Sequence, residues 1–125
     1  MTGRGRVLVV DDDPQVIETL RDFLDHLGYE ASAAASGEEA IAAMTTVRPQ
    51  VVLLDLLMPG ISGLEALTYF REHHPTVPVI VITGAPGQEP AQQARAAGAF
   101  DVLRKPFDLD DLRARVAQAV RLATP

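Results

Sequence analysis

Val7-Leu8-Val9-Val10-Asp11-Asp12-Asp13-Pro14 places a strand, a change of chemistry and a helix start within eight residues. The four apolar residues, rich in β-branched valine, suit a strand covered on both faces, as in a parallel sheet. Asp13-Pro14 reads as an N-cap with proline at the first helical position. Asp13 is therefore taken as a cap and not a ligand. Asp11 and Asp12 have no capping role, and two adjacent acids directly after a buried strand call for another explanation.

The same pattern recurs outward from this stretch. Val51-Val52-Leu53-Leu54 and Val79-Ile80-Val81-Ile82 are further buried strands, and Glu30–Ala34 and Val102–Arg104 are weaker ones. Gly28 sits where the first helix should end. Ser36-Gly37-Glu38-Glu39 and Ser62-Gly63-Leu64-Glu65 both have capping-box spacing. Pro75 should stop the helix after Ser62 by His74. Leu109, Leu112, Val116 and Val120 form the inner stripe expected of a last helix, opposite Arg113, Arg115 and Arg121. Five β-α units with short connections predict an α/β domain, a doubly wound five-stranded parallel sheet with helices on both faces. Gly84–Ala97 stands apart: it offers only alanines for an inward stripe and should be among the first segments to move.

Composition narrows the function. The chain has 125 residues, a net charge of −6 and no cysteine. Its length suits one domain. Disulfides, thiolate metal sites and cysteine nucleophiles are excluded, and an acidic domain is a poor partner for nucleic-acid phosphate. No apolar run is long enough to span a bilayer, and no signal peptide follows the basic residues Arg4 and Arg6. A cytoplasmic location with no membrane attachment is expected. No flavin site is expected either, since the only tyrosines are Tyr29 and Tyr69 and there is no tryptophan.

Ligands of open parallel sheets bind beyond the carboxyl ends of the strands. There the sequence gathers Asp11, Asp12 and Asp13, then Asp55, Thr83 and Lys105, the chain's sole lysine. Two carboxylates about 4 Å apart repel by roughly 4 kcal/mol at an effective dielectric of 20. One ammonium cannot neutralise them all, and hard oxygen ligands favour Mg²⁺ or Mn²⁺ over zinc. Asp55 can act as a nucleophile that accepts a phosphoryl group. Lys105 and a metal would spread the charge on that group, and the Thr83 hydroxyl would donate a hydrogen bond to it. The histidines carry no assigned function: His73 and His74 suit a helix C-terminus. Arg104 is expected to be a solvated outward side chain on an edge strand.

The strings Val-Leu-Val-Val-Asp11-Asp12-Asp13-Pro14, Leu-Asp55-Leu-Leu-Met58-Pro59-Gly60-Ile-Ser-Gly63, Val-Ile-Thr83-Gly84 and Lys105-Pro106-Phe107 together resemble the receiver domain of bacterial two-component response regulators. The resemblance runs from about Arg6 to Ala123. It implies a flavodoxin-like receiver fold with strand order 2-1-3-4-5. It implies a single receiver domain over residues 1–125, with a core from about 6 to 123 and a flexible N-terminal arm over 1–5. Asp55 matches the phosphoacceptor. Asp11 and Asp12 match the acidic pair that holds Mg²⁺ with Asp55, and the backbone carbonyl of Leu57 matches the remaining protein ligand. Thr83 matches the switch hydroxyl and Lys105 the phosphate-binding lysine.

The implied function is a phosphorylation-dependent switch and not a turnover enzyme. A sensor histidine kinase or phosphotransfer protein would supply the phosphoryl group. An effector domain, a downstream protein or a homodimer formed on phosphorylation would read the altered surface around Thr83 and Lys105. The family often carries an aromatic residue three before the lysine, where this chain has Val102, with Phe100 two residues earlier, so the resemblance does not imply an inward-turning ring. Leu57 and Ala85 match positions beside the water approach to the phosphoryl group in the family, and both are apolar; with no polar group there to orient attacking water, a long-lived phospho-form is expected. The alternative is a small aspartate-nucleophile phosphohydrolase, suggested by the Asp-x-Asp spacing of residues 11–13. Gln15 and the lack of a cap insertion count against it.

Overall fold

The computed structural model describes residues 4–58, 60, 62–84 and 86–123. Along the chain run β1 (Arg6–Val10), α1 (Pro14–His26), β2 (Glu30–Ala34), α2 (Gly37–Thr46) and β3 (Val51–Asp55). They are followed by α3 (Gly63–His73), β4 (Val79–Thr83), α4 (Glu89–Ala96), β5 (Asp101–Arg104) and α5 (Leu109–Ala123). All strand pairings are parallel, in the order β2-β1-β3-β4-β5. This is the doubly wound sheet the sequence predicts.

Strand periodicity divides the core into two layers. Leu8, Val10, Val52, Leu54, Val79 and Val81 face one side and pack with residues of α2, α3 and α4, including Met44, Leu67 and Phe70. Val7, Val9, Val51, Leu53, Ile80 and Ile82 face the other and pack with Leu20 and Leu24 of α1 and Leu112 and Val116 of α5. Each fully buried side chain of this size contributes roughly 1.5–3 kcal/mol by leaving water. β2 is an edge strand in which only Ala34 is buried, which explains its weak apolar signal.

The helix termini follow the local signals. Asp13 caps α1 through its side chain, which accepts from the Gln15 N–H. Ser62 and Glu65 form a reciprocal capping box at α3. The second box is altered: Ser36 accepts from the Glu39 N–H, but the Glu39 carboxylate reaches back to the Ala35 N–H.

Four expectations are refined by the structure. Asp55 and Thr83 are the last residues of β3 and β4, paired in register with Ile82 and Arg104, so they lie within the ladder and not past it. In α5 the buried stripe is Leu112, Val116 and Ala119, while Leu109 is 39% exposed because it begins the helix beyond the sheet. Of the expected arm, Arg4 and Gly5 are already docked. The Arg4 N–H donates to the Gly28 carbonyl, Gly5 accepts from the Glu30 N–H, and the Arg4 guanidinium lies 5.2 Å from the centre of the Tyr29 ring. The rest of that arm, residues 1–3, falls outside the described residues. Finally, the exposed Arg104 is not simply solvated: its Nη2 donates to the Gly87 carbonyl at 2.6 Å.

Candidate functional site

The order β2-β1-β3 brings the carboxyl ends of β1 and β3 side by side, where the connections turn to opposite faces of the sheet. Asp11 follows β1 directly, and its N–H donates to the Ala34 carbonyl of β2, extending the ladder by one residue. Asp55 closes β3 and Thr83 closes β4. These three are the buried polar side chains among the described residues, with exposures of 3%, 6% and 1%. Buried charges this deep need compensation.

Compensation comes from two sources. Each buried carboxylate spends one oxygen on a backbone N–H two residues ahead. Asp11 Oδ1 accepts from Asp13 at 2.9 Å, and Asp55 Oδ1 accepts from Leu57 at 3.1 Å. The second oxygens face Lys105, whose Nζ lies 3.3 Å from Asp11 Oδ2 and 3.6 Å from Asp55 Oδ2. Lys105 arrives from the end of β5, held by its own N–H bonded to the Thr83 carbonyl at 2.9 Å. The expected convergence of Asp11, Asp55, Thr83 and Lys105 at one sheet edge is thus observed.

Asp12 completes the cluster from an exposed position. Ligand oxygens of Asp11, Asp12 and Asp55 lie within 4.8 Å of one another, close enough to share one ion. Three carboxylates against one ammonium leave an excess of negative charge. An all-oxygen donor set with that excess fits a hard divalent cation. The electrostatics agree. Burial raises the Asp55 carboxyl above its ordinary value, against the Leu57 N–H, with Asp11 adding to the rise and Lys105 opposing it. Burial would lower Lys105, but Asp55 and then Asp11 outweigh it and hold the ammonium above its usual value.

Not every residue read from the sequence joins the centre. Asp13 is spent on its cap. Val102 is buried in the α4 layer, and Phe100 packs on the opposite layer, so neither residue places a ring on the α4 side of β5. Leu57 is drawn in by its N–H, while its side chain is 57% exposed. Ala85 lies outside the described residues. One positioning residue escaped the sequence reading. A Cβ on Gly63 would sit 2.4 Å from Leu56 Cα and 2.6 Å from the Asp55 carbonyl oxygen, so only glycine lets α3 approach the site this closely. The contact is with backbone, and no side-chain pattern announces it.

Comparison with known proteins places the whole arrangement. The family model of the response regulator receiver domain matches residues 7–117. The regulatory protein AtoC of Escherichia coli K12 is 38% identical over 122 residues, which is 98% of this chain and 26% of AtoC. The response regulator MprA of Mycolicibacterium vanbaalenii is 39% identical over 120 residues, 96% of this chain and 52% of MprA. The chain therefore spans from about a quarter to about half of these curated relatives. Among solved structures, a CheY-like response regulator receiver domain protein from Methanospirillum hungatei superposes with a TM-score of 0.90 at 27% identity, covering 95% of both chains.

Proposed function

The chain belongs to the response regulator receiver domain family, and from that premise we propose that Asp55 accepts a phosphoryl group and that its phosphorylation switches the surface fed by Thr83 and Lys105. The relatives named above are response regulators and not phosphohydrolases, which displaces the hydrolase alternative. The observation that carries the proposal is the placement of Asp55, buried yet within 3.6 Å of the sole lysine and beside two further carboxylates.

In this reading a carboxylate oxygen of Asp55 attacks phosphorus, and the bond to the donor breaks with its electron pair leaving on the donor. The Leu57 N–H holds Asp55 in orientation. Lys105 neutralises the incoming phosphoryl oxygens, and the Thr83 hydroxyl donates to one of them. Asp11, Asp12, Asp55 and the Leu57 carbonyl would hold Mg²⁺, or Mn²⁺, which supplies charge neutralisation and orientation of the phosphoryl oxygens. The domain performs this transfer on itself and turns over no separate substrate.

The donor would be a sensor histidine kinase or phosphotransfer protein in the cytoplasm. A cleft of about 480 Å³ beside Lys105, lined by Val16, Leu20, Phe107 and Leu109, offers such a protein an apolar seat. Readout would fall to an effector domain, a downstream protein or a second phosphorylated copy. The apolar, exposed Leu57 gives no handle for attacking water, which supports a long-lived phospho-form. Leu57→Asn should then shorten its lifetime, and an unchanged, already rapid decay would refute this.

The test is incubation with acetyl phosphate and Mg²⁺ followed by intact-mass measurement. One added phosphate on the wild type and none on Asp55→Asn is the expected result. No addition to either, or equal addition to both, would overturn the proposal.

A further inference from the structure

The site described above ends one residue after Arg104, and that arginine has a contact the phosphoryl chemistry does not use. Arg104 pairs in register with Thr83 across β4 and β5. Its guanidinium reaches past Thr83 and donates from Nη2 to the Gly87 carbonyl at 2.6 Å. The neighbouring Lys105 grips the same stretch differently. Its N–H bonds the Thr83 carbonyl, and its aliphatic stem lies 3.7 Å from where a Gly84 Cβ would stand. Arg104, the last residue of β5, and Lys105, which follows it, thus hydrogen-bond the chain at two points, Gly87 beyond β4 and Thr83 at its end.

Beyond that hold, the region is weakly secured. α4 buries only Ala91 and Ala94, and Gln88 supplies no side-chain cap. Gly87 is exposed, with φ +83, and nothing lies within 4 Å of where its Cβ would be. Where so little apolar surface is buried, one side chain–backbone hydrogen bond weighs heavily in the local balance.

We infer that Arg104 is a positioning residue that latches the entrance of α4 to β5 and so sets how readily Thr83 can move to meet a phosphoryl group. This rests on the proposed role of Asp55. Release of the latch frees the stretch after Thr83, favouring the arrangement in which its hydroxyl reaches the phosphoryl group.

The experiment compares wild type with Arg104→Ala, whose exposed position leaves the core intact. Amide exchange of the unphosphorylated protein should rise about fivefold at residues 87–96, as loss of one such bond predicts, with α1 and β1 unchanged. Labelling of Asp55 by acetyl phosphate should accelerate in parallel. Unchanged exchange, exchange raised equally across the whole sheet, or raised local exchange with an unaltered labelling rate would each overturn the inference. A wild type that takes no phosphate at all would instead remove the reading of Asp55 on which it rests.

Discussion

Ionising Asp55 opposes folding. Burial raises its carboxyl above the ordinary value of 3.8, so the folded chain binds a proton more tightly than the unfolded one. This contribution to stability must then fall as pH rises from that ordinary value through the raised one. Asp55→Asn should therefore have a higher urea midpoint than wild type at pH 7, with the gain fading as pH falls through the raised value and gone below about pH 4. A lower midpoint at pH 7 would contradict the assignment. Lys105 has the opposite sign. Burial works against its charge, but Asp55 and Asp11 outweigh that and raise it above 10.5, so its contribution is present below that value and is lost as pH climbs past it. Lys105→Met should cost about 2 kcal/mol, the scale of a lost hydrogen bond to a charged group. Millimolar Mg²⁺ should recover part of that loss in the same urea titration by binding only the folded form.

At the scale of single elements, the local signals carried far. Asp13-Pro14, Ser62 with Glu65, and the stop before Pro75 are legible because the groups involved are within four residues of one another. Ser62→Ala should cost about 1 kcal/mol in a urea titration, the usual effect of losing a cap. Contacts that depend on loop geometry were harder to read. The Glu39 carboxylate chose Ala35 over Ser36, and Arg104 found Gly87, because the geometry of the loops decides which backbone group comes within reach. Gly63 is the sharpest case, since its need is set by the backbone of Leu56 and not by any pattern in its own helix. Gly63→Ala should lose about 3 kcal/mol, the upper range for overpacking. It should also slow labelling of Asp55 by displacing the strand end that carries it. Normal stability in that variant would show that the close approach relaxes without cost.

Across the molecule, the two-layer core explains why fold and site could be read together. Continuous apolar runs forced buried parallel strands, and buried parallel strands place their carboxyl ends on one edge, where Asp11, Asp55 and Thr83 converge. The strand order came from resemblance, because apolar runs alone do not say which neighbours pair. α4 was readable as a weak element, and its two buried alanines bear that out. It should exchange its amides faster than α1, α3 or α5 in the unphosphorylated protein, and protection equal to that of α3 would contradict the packing argument.

Phosphorylation at Asp55 is tested most directly by locating the phosphate. Borohydride reduction of acetyl phosphate-treated protein converts an aspartyl phosphate to homoserine, and peptide mapping then locates the modified residue. Homoserine is expected at position 55, with none when Mg²⁺ is chelated. Modification at Asp11 or Asp12, or a borohydride-resistant phosphate on Thr83, would contradict it.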